Sequence, residues 1–298
     1  MSIPTIGMPM GSNIDLTSFA PGIIPDSDKW FSVDSSTWWD GLSSFSVMVS
    51  YDSTIHLLHG DSIGIFSAYY KDGSNNYQGF IIWQYFDNCY ALFGDGTGTM
   101  STENQVPFNG YRFSMPFGAG KGSSPRIHVC FSWDSAGSGS STFAIYNQGK
   151  VLSGVLQSTR YSNVKTTGRT TALGNIGTNT AIRVGNLHDG TTTTGGMRSW
   201  YKIKGAKFWK NEALSLSDFD SIVGYTSGVE DKQVRSAKQI EKLGYGGSTG
   251  ISLPERDWRV KEISSADKTL GFRDEGTEAS KEHMVSVNNA KISVYGKY

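Results

Sequence analysis

From Arg126 to Trp133 the chain alternates with a period of two, placing Ile127, Val129, Phe131 and Trp133 on one side and Arg126, His128, Cys130 and Ser132 on the other. That period belongs to a strand with one apolar and one mixed face, and its apolar face has to be buried against another layer. A Gly/Ser loop from 134 to 141 follows. Alternation then resumes from Thr142 to Tyr146 with Phe143 and Ile145 on the apolar side, which predicts an antiparallel return. Gly149 reads as the next turn, before Val151 and Leu152. Hairpins of this kind fold by packing sheet on sheet.

The same grammar recurs through the first two thirds of the chain. Phe45, Val47, Val49 and Tyr51 alternate cleanly with Ser44, Ser46, Met48 and Ser50. Further strands are predicted at 64–70, 77–86, 90–93, 111–115, 125–133, 142–146, 181–184 and 203–209, between Gly-rich turns, and helix signals are nearly absent there. The expected fold is an all-β, antiparallel jelly-roll β-sandwich over residues 30–225. Residues 1–29, with Pro4, Pro9, Pro21 and Pro25 among Gly, Ser and Met, are expected to form an extended N-terminal arm.

Glutamate marks the other boundary. Of nine Glu only Glu103 precedes residue 212, and 23 of the 73 residues from 226 onward are charged, against 18% for the whole chain. Residues 226–298 are therefore expected to be a small, mixed, charged C-terminal appendage. Within it, Ser227 and Glu230 have capping-box spacing, predicting a helix from Glu230 to Leu243 stopped by Gly244. Strands are expected at 258–263 and 284–295.

Charge narrows the partners. The 27 basic and 27 acidic residues cancel, so no overall field favours nucleic acid, and no apolar run has the length of a membrane-spanning helix. The N-terminus carries neither a basic leader nor a continuous apolar segment, which is the expectation for folding in a cytoplasm. Cys89 and Cys130 each sit in or beside a strand-like run and are read as buried thiols rather than as a disulfide.

Taken in order, RIHVCFSWD, FAIYNQGKVL, IRVGN and IKGAKFWKNEALS resemble the second half of a laminin G-like, concanavalin A-like jelly roll. The last segment leads through Asn211, Ala213, Leu214 and Ser215 into a short helical turn at 216–222, and the spacing of Ile203, Ala206 and Phe208 implies a bulge near Gly205. The resemblance implies a sandwich that serves lectins, glucanases, adhesion modules and virion proteins alike. Together with the Pro/Gly arm, the free thiols and abundant Gly, Ser and Thr, the chain also resembles tail, fibre or head-decoration proteins of bacteriophages. This second resemblance implies a non-enzymatic structural component of a virion, displaying a lectin-like domain for host glycan attachment. Its expected partners are other virion proteins, copies of itself and a bacterial surface glycan. A free carbohydrate-binding lectin, and a glycan hydrolase using Asp, remain open as alternatives.

Glucanases of this fold need paired carboxylates, and Glu103 alone cannot supply a Glu pair. The Asp pairs Asp87 with Asp95 and Asp218 with Asp220 read as turn residues. The segment from Gly118 to Ser124 lacks phosphate-loop spacing and reads as a hairpin loop, and no His cluster has zinc spacing. Some laminin G-like domains hold calcium at a rim, and that resemblance points to Asp95 and Asp189 as ligands; no other cofactor is expected. For sugar recognition, a ring must lie near polar loops. The candidates are Trp39, Tyr70, Trp83 and Trp209, with adjacent pairs such as Tyr69 and Tyr70 expected to split between opposite faces.

Overall fold

The computed structural model describes residues 22–24, 30–33, 39–53, 62–85, 88–96, 100–107, 126–152, 155–174, 182–185, 187–188, 193–194, 201–226, 229–230, 251–264, 269–274, 276–277, 284–285, 287–288 and 291–293. The early strands are β1 (Gly22–Ile24), β2 (Trp30–Val33), β3 (Ser44–Ser53), β4 (Ser62–Lys71), β5 (Tyr77–Tyr85), β6 (Asn88–Asp95) and β7 (Met100–Pro107). Next come β8 (Arg126–Asp134), β9 (Ser140–Leu152), β10 (Val155–Thr166), β11 (Ile182–Val184), β12 (Leu187–His188), β13 (Thr193–Thr194) and β14 (Tyr201–Lys210). A helix, α1 (Leu216–Val223), is followed by β15 (Tyr225–Thr226), β16 (Val229–Glu230), β17 (Arg256–Ser264), β18 (Thr269–Asp274), β19 (Met284–Val285), β20 (Val287–Asn288) and β21 (Lys291–Ser293).

These strands build an antiparallel jelly-roll β-sandwich. The first sheet runs β10-β9-β8-β3-β14-β17-β18-β19, with β1 beside β14 and β21, and the second runs β20-β2-β11-β4-β5-β6-β7. The alternating hairpin is β8 and β9, with Phe131 opposite Phe143 and Val129 opposite Ile145. Gly149 is not a turn. β9 continues through it to Leu152, and the register with β10 shifts so that Gln157 faces Lys150 while Ser158 faces Gln148. Gly149 is the extra residue of a bulge, a position that tolerates a residue without a side chain. The bulge expected near Gly205 is present, the β14–β3 register shifting between Ile203 and Gly205.

Alternation delivers the core. Phe45, Val47, Val49 and Tyr51 of β3, the apolar side of β8, and Phe143 and Ile145 of β9 pack with Phe66, Phe80, Ile82, Ala91 and Phe93 of the second sheet. Trp39 sits among them, its ring edge-on to Phe45 at 5.1 Å and to Phe80 at 5.0 Å. Each such ring pair adds about 0.5–1.5 kcal/mol beyond the area it buries.

The second face of β8 is buried too. Met48, Cys130, Ala144, Tyr146 and Trp209 on the outside of the first sheet pack against Leu214, Phe219, Ile222, Val223 and Ile251. The sequence positions this lid through its polar residues: Ser46 Oγ donates to the Glu212 carbonyl and accepts from the Leu214 amide, both at 2.8 Å, while Ser132 Oγ donates to the Leu214 carbonyl at 2.6 Å. Ser215 and Asp218 form a capping box that starts α1, and Gly224, at φ 74°, ends it in the left-handed conformation. Both cysteines are free and buried, and burial pushes both thiols above their ordinary range.

Strands from both flanking segments join these sheets: β1 from the first, and β17, β18, β19, β20 and β21 from the second. β1, inside the span read as an arm, pairs Ile23 with Ile203, and β17 pairs Lys207 with Asp257. Glu230, read as the start of a helix, lies instead in β16, opposite Tyr225. The remainder of that predicted helix, the 111–115 strand and the 118–124 loop lie outside the described residues.

Candidate functional site

The outer face of the second sheet is assembled by register. Side chains of directly opposed residues share a face, so the row Gly64, Trp83, Tyr90, Gln105 crosses β4, β5, β6 and β7 on the side away from the core. The next row begins at Arg183, opposite Ser67, and continues through Ile81, Leu92 and Thr102. Tyr69, opposite Gly79, opens a third row that ends at Met100. Tyr69 and Ile81 are buried in this layer, and Tyr77, Trp83, Leu92 and Met100 are half-buried around them.

Local geometry follows from glycine. A Cβ on Gly94 would fall well inside van der Waals contact of the Tyr77 carbonyl oxygen, so its absence lets Tyr77 lie close against β6 and stack on Tyr69, centroids 6.2 Å apart and rings 18° from parallel. Lys71 Nζ stands 5.3 Å from the Tyr77 centroid, an arrangement that draws a cation to a ring face. Gly64 similarly leaves no side chain beside Trp83. On its other flank Trp83 meets Tyr90, with centroids 6.1 Å apart and planes inclined at 40°. Asn88, two residues along β6 from Tyr90, shares the same face by strand parity and is half-buried, while Gln105 is exposed.

The surface therefore combines two half-buried rings with two amides, each able to donate and accept. Arg183 borders it. Burial pushes its guanidinium down to about 10, with the charge of Tyr69 working in the opposite direction. This chemistry suits an uncharged, hydroxyl-rich ligand with an apolar face: rings for stacking, amides for hydroxyls, and no nucleophile or paired carboxylate in the row.

The ring candidates fall into different places. Trp83 belongs to this face. Trp39 and Trp209 are both 0% exposed, one in the main core and the other beneath α1 with its Nε1 donating to the Ser252 carbonyl at 2.9 Å, so neither can stack on a sugar arriving from solvent. Tyr70 points into the sandwich and packs partly buried against the core, while Tyr69 takes the outer face, the split expected of that pair. Tyr90, Asn88 and Gln105 are not among the candidates that the sequence marks. For Asn88 and Tyr90 the signal is the alternation of Cys89, Ala91 and Phe93 inward, which sends residues 88, 90 and 92 outward.

Three of the candidate carboxylates are engaged elsewhere, and Asp87 lies outside the described residues. Glu103 is paired with Arg169 Nε at 3.0 Å, Asp218 caps α1, and Asp220 accepts from Tyr146 and is ion-paired with Arg160. For calcium, Asp95 closes β6 opposite Gln78. Its side chain and the whole of Asp189 lie outside the described residues. Among the described residues no group of three or more His, Cys, Asp and Glu converges.

No protein-family model matches the chain, and no curated protein matches it. Several solved structures align with it at low similarity. A heptameric SAP-like pentraxin from Limulus polyphemus aligns over 70% of this chain and 83% of its own, with 13% identity and a TM-score of 0.38. The CBM40 of a Ruminococcus gnavus IT-sialidase, bound to α2,6-sialyllactose, aligns over 68% of this chain and 96% of its own, with 13% identity and a TM-score of 0.39. Domains LG4-5 of the mouse laminin α1 chain align over 67% of this chain and 45% of their own, with 7% identity and a TM-score of 0.35. The sandwich assignment itself rests on the strand order and registers given above.

Proposed function

We propose that this chain is a non-enzymatic, glycan-binding β-sandwich whose recognition surface is the outer face of the second sheet, centred on Trp83 and Tyr90. The observation that carries this reading is the single row Gly64, Trp83, Tyr90, Gln105, which sets two adjacent rings beside amide groups, with a glycine opposite the tryptophan. A sugar ring stacks its C–H face on the aromatics while its hydroxyls bond to Gln105 and Asn88.

The setting we infer with it is a bacteriophage particle, where the sandwich is displayed toward a bacterial surface glycan and other virion proteins or copies of the chain anchor it. Support for that setting is the resemblance of the Pro/Gly arm and the Gly-, Ser- and Thr-rich sandwich to tail, fibre and decoration proteins.

The decisive experiment is a panel of bacterial surface glycans, run with calcium and with chelator, on the wild-type chain and on Trp83→Ala, Tyr90→Ala and Tyr70→Phe. Trp83→Ala and Tyr90→Ala are expected to weaken binding by at least about tenfold, some 1.4 kcal/mol, with the fold intact. Tyr70→Phe should bind as wild type. Absence of binding to every glycan, or equal binding by all variants, would remove the recognition surface from this face.

A further inference from the structure

Lys207 on β14 and Asp257 on β17 are directly opposed in the first sheet, on the outer side that also carries Met48 and Trp209. Lys207 Nζ lies 2.5 Å from Asp257 Oδ1, and the two residues are only 4% and 1% exposed. The strand ladder on either side fixes both Cα positions, so the two side chains are held against each other by backbone already ordered for other reasons.

That arrangement is one in which an amine and a carboxyl group can react. Taking a lysine and an aspartate out of water is costly while both remain charged, and the neutral amine and carboxylic acid are the alternative state of the same pair. With Nζ touching the carboxyl oxygen, the carboxyl carbon is about 3–3.5 Å away, the near-attack range in which a bound pair behaves as a unimolecular reactant. The register of β14 against β17 keeps the two side chains together, and burial keeps bulk water from competing for either group.

We propose that Lys207 and Asp257 form an intramolecular isopeptide bond, a covalent cross-strand link between β14 and β17. Nζ attacks Cγ of Asp257, one Cγ–O bond breaks, and the departing oxygen leaves as water with two protons from the ammonium group. One amide N–H and one carbonyl remain, no oxidant or co-reactant is consumed, and two buried charges are removed. The bond closes a loop from 207 to 257 that contains α1, tying the lid of the first sheet to the strand that extends it.

Intact mass spectrometry of the denatured full chain tests this directly. Wild type is expected one water lighter than its sequence, and Lys207→Arg and Asp257→Ala at full mass. A tryptic digest of wild type should yield a branched peptide joining residues 205–210, uncleaved after Lys207, to residues 257–259, because Arg256 and Arg259 bound the aspartate segment. Wild type at full mass, with the 205–207 and 257–259 peptides free, would overturn the proposal, as would a lighter mass that persists in Lys207→Arg. Should either variant fail to fold, the branched peptide of wild type decides alone.

Discussion

Asn163 on β10 donates its side-chain amide to the side-chain oxygen of Asn104 on β7 at 2.9 Å, joining the edge strand of one sheet to the edge strand of the other. Asn104 returns the bond across the gap by donating to Ser141 Oγ at 2.9 Å and to the Asn163 carbonyl at 3.2 Å. One open side of the sandwich is therefore closed by amides, and the Glu103–Arg169 pair lies beside them.

Replacing Asn163 with Ala removes a donor from an amide that is buried. An unsatisfied buried polar group costs about 1–3 kcal/mol. Urea denaturation should show a lower midpoint at unchanged slope, since the surface exposed on unfolding stays the same. A wild-type midpoint in Asn163→Ala would mean that the Asn163 side-chain bond to Asn104 contributes nothing to stability.

Gly94→Ala tests a packing relationship in which the neighbour cannot yield. The nearest atom to the new methyl would be the Tyr77 carbonyl oxygen, part of a backbone that also accepts from the Gly96 amide at 2.7 Å. Overpacking of this kind costs about 1–3 kcal/mol. Gly73, where an added methyl meets nothing within 4 Å, is the matched control, and Gly73→Ala should change stability by less than about 0.5 kcal/mol. Loss of the Tyr69–Tyr77 stack in Gly94→Ala should also alter the near-ultraviolet circular dichroism.

The strands that sequence made legible are those whose one face is core. In β3, β8 and the first half of β9 the period of two survives because Phe45, Phe131 and Phe143 face the same interior, and in β14 it is shifted once by the bulge before Gly205. β7 and β10 went unread because both are edge strands, where polar residues such as Asn104, Lys165 and Asn163 take the places that interior strands give to apolar ones. The sites divided for a different reason. Trp83 and Trp209 each lie on the side of a strand away from the main core, and the difference between them is made by α1, which packs on Trp209. Nothing in the local pattern of either strand says which outer face the chain will later cover.

The β4–β5 hairpin offers a prediction in pH. Asp72 accepts from the Asn76 backbone amide at 2.8 Å, the Asn76 side chain at 3.0 Å and the Ser74 amide at 2.8 Å. The Asn76 bonds foremost, with help from Ser74, hold its carboxyl below the ordinary value of 3.8. A depressed carboxyl stabilises the turn fully above its unfolded value and loses that contribution as pH falls through its folded value. In NMR titration the Asp72 side chain should titrate below a free aspartate, and the Ser74 and Asn76 amides should shift with it. In Asp72→Ala those amides should exchange faster at neutral pH and lose that titration.

The anchor of α1 permits a measurement of coupling. Tyr146 donates to Asp220 Oδ1 at 2.8 Å, and Arg160 pairs with the other carboxylate oxygen while its guanidinium stands 5.1 Å from the Tyr225 centroid. Burial is the first cause that holds the Tyr146 hydroxyl protonated far above its ordinary range, so it remains a donor at any working pH. Tyr146→Phe should cost about 1.5–3 kcal/mol, the worth of a hydrogen bond to a charged group. Asp220→Ala should cost more, because it strands a buried hydroxyl and an arginine together. The double variant should recover about 0.5–3 kcal/mol of the summed losses, as residues in one network do. Added salt should weaken only the Arg160 contribution, since Arg160 and Asp220 are partly exposed and the Tyr146 bond is not an ion pair. Additive losses in the cycle would mean that α1 is held by its apolar face, Phe219, Ile222 and Val223, and that the triad merely decorates its end.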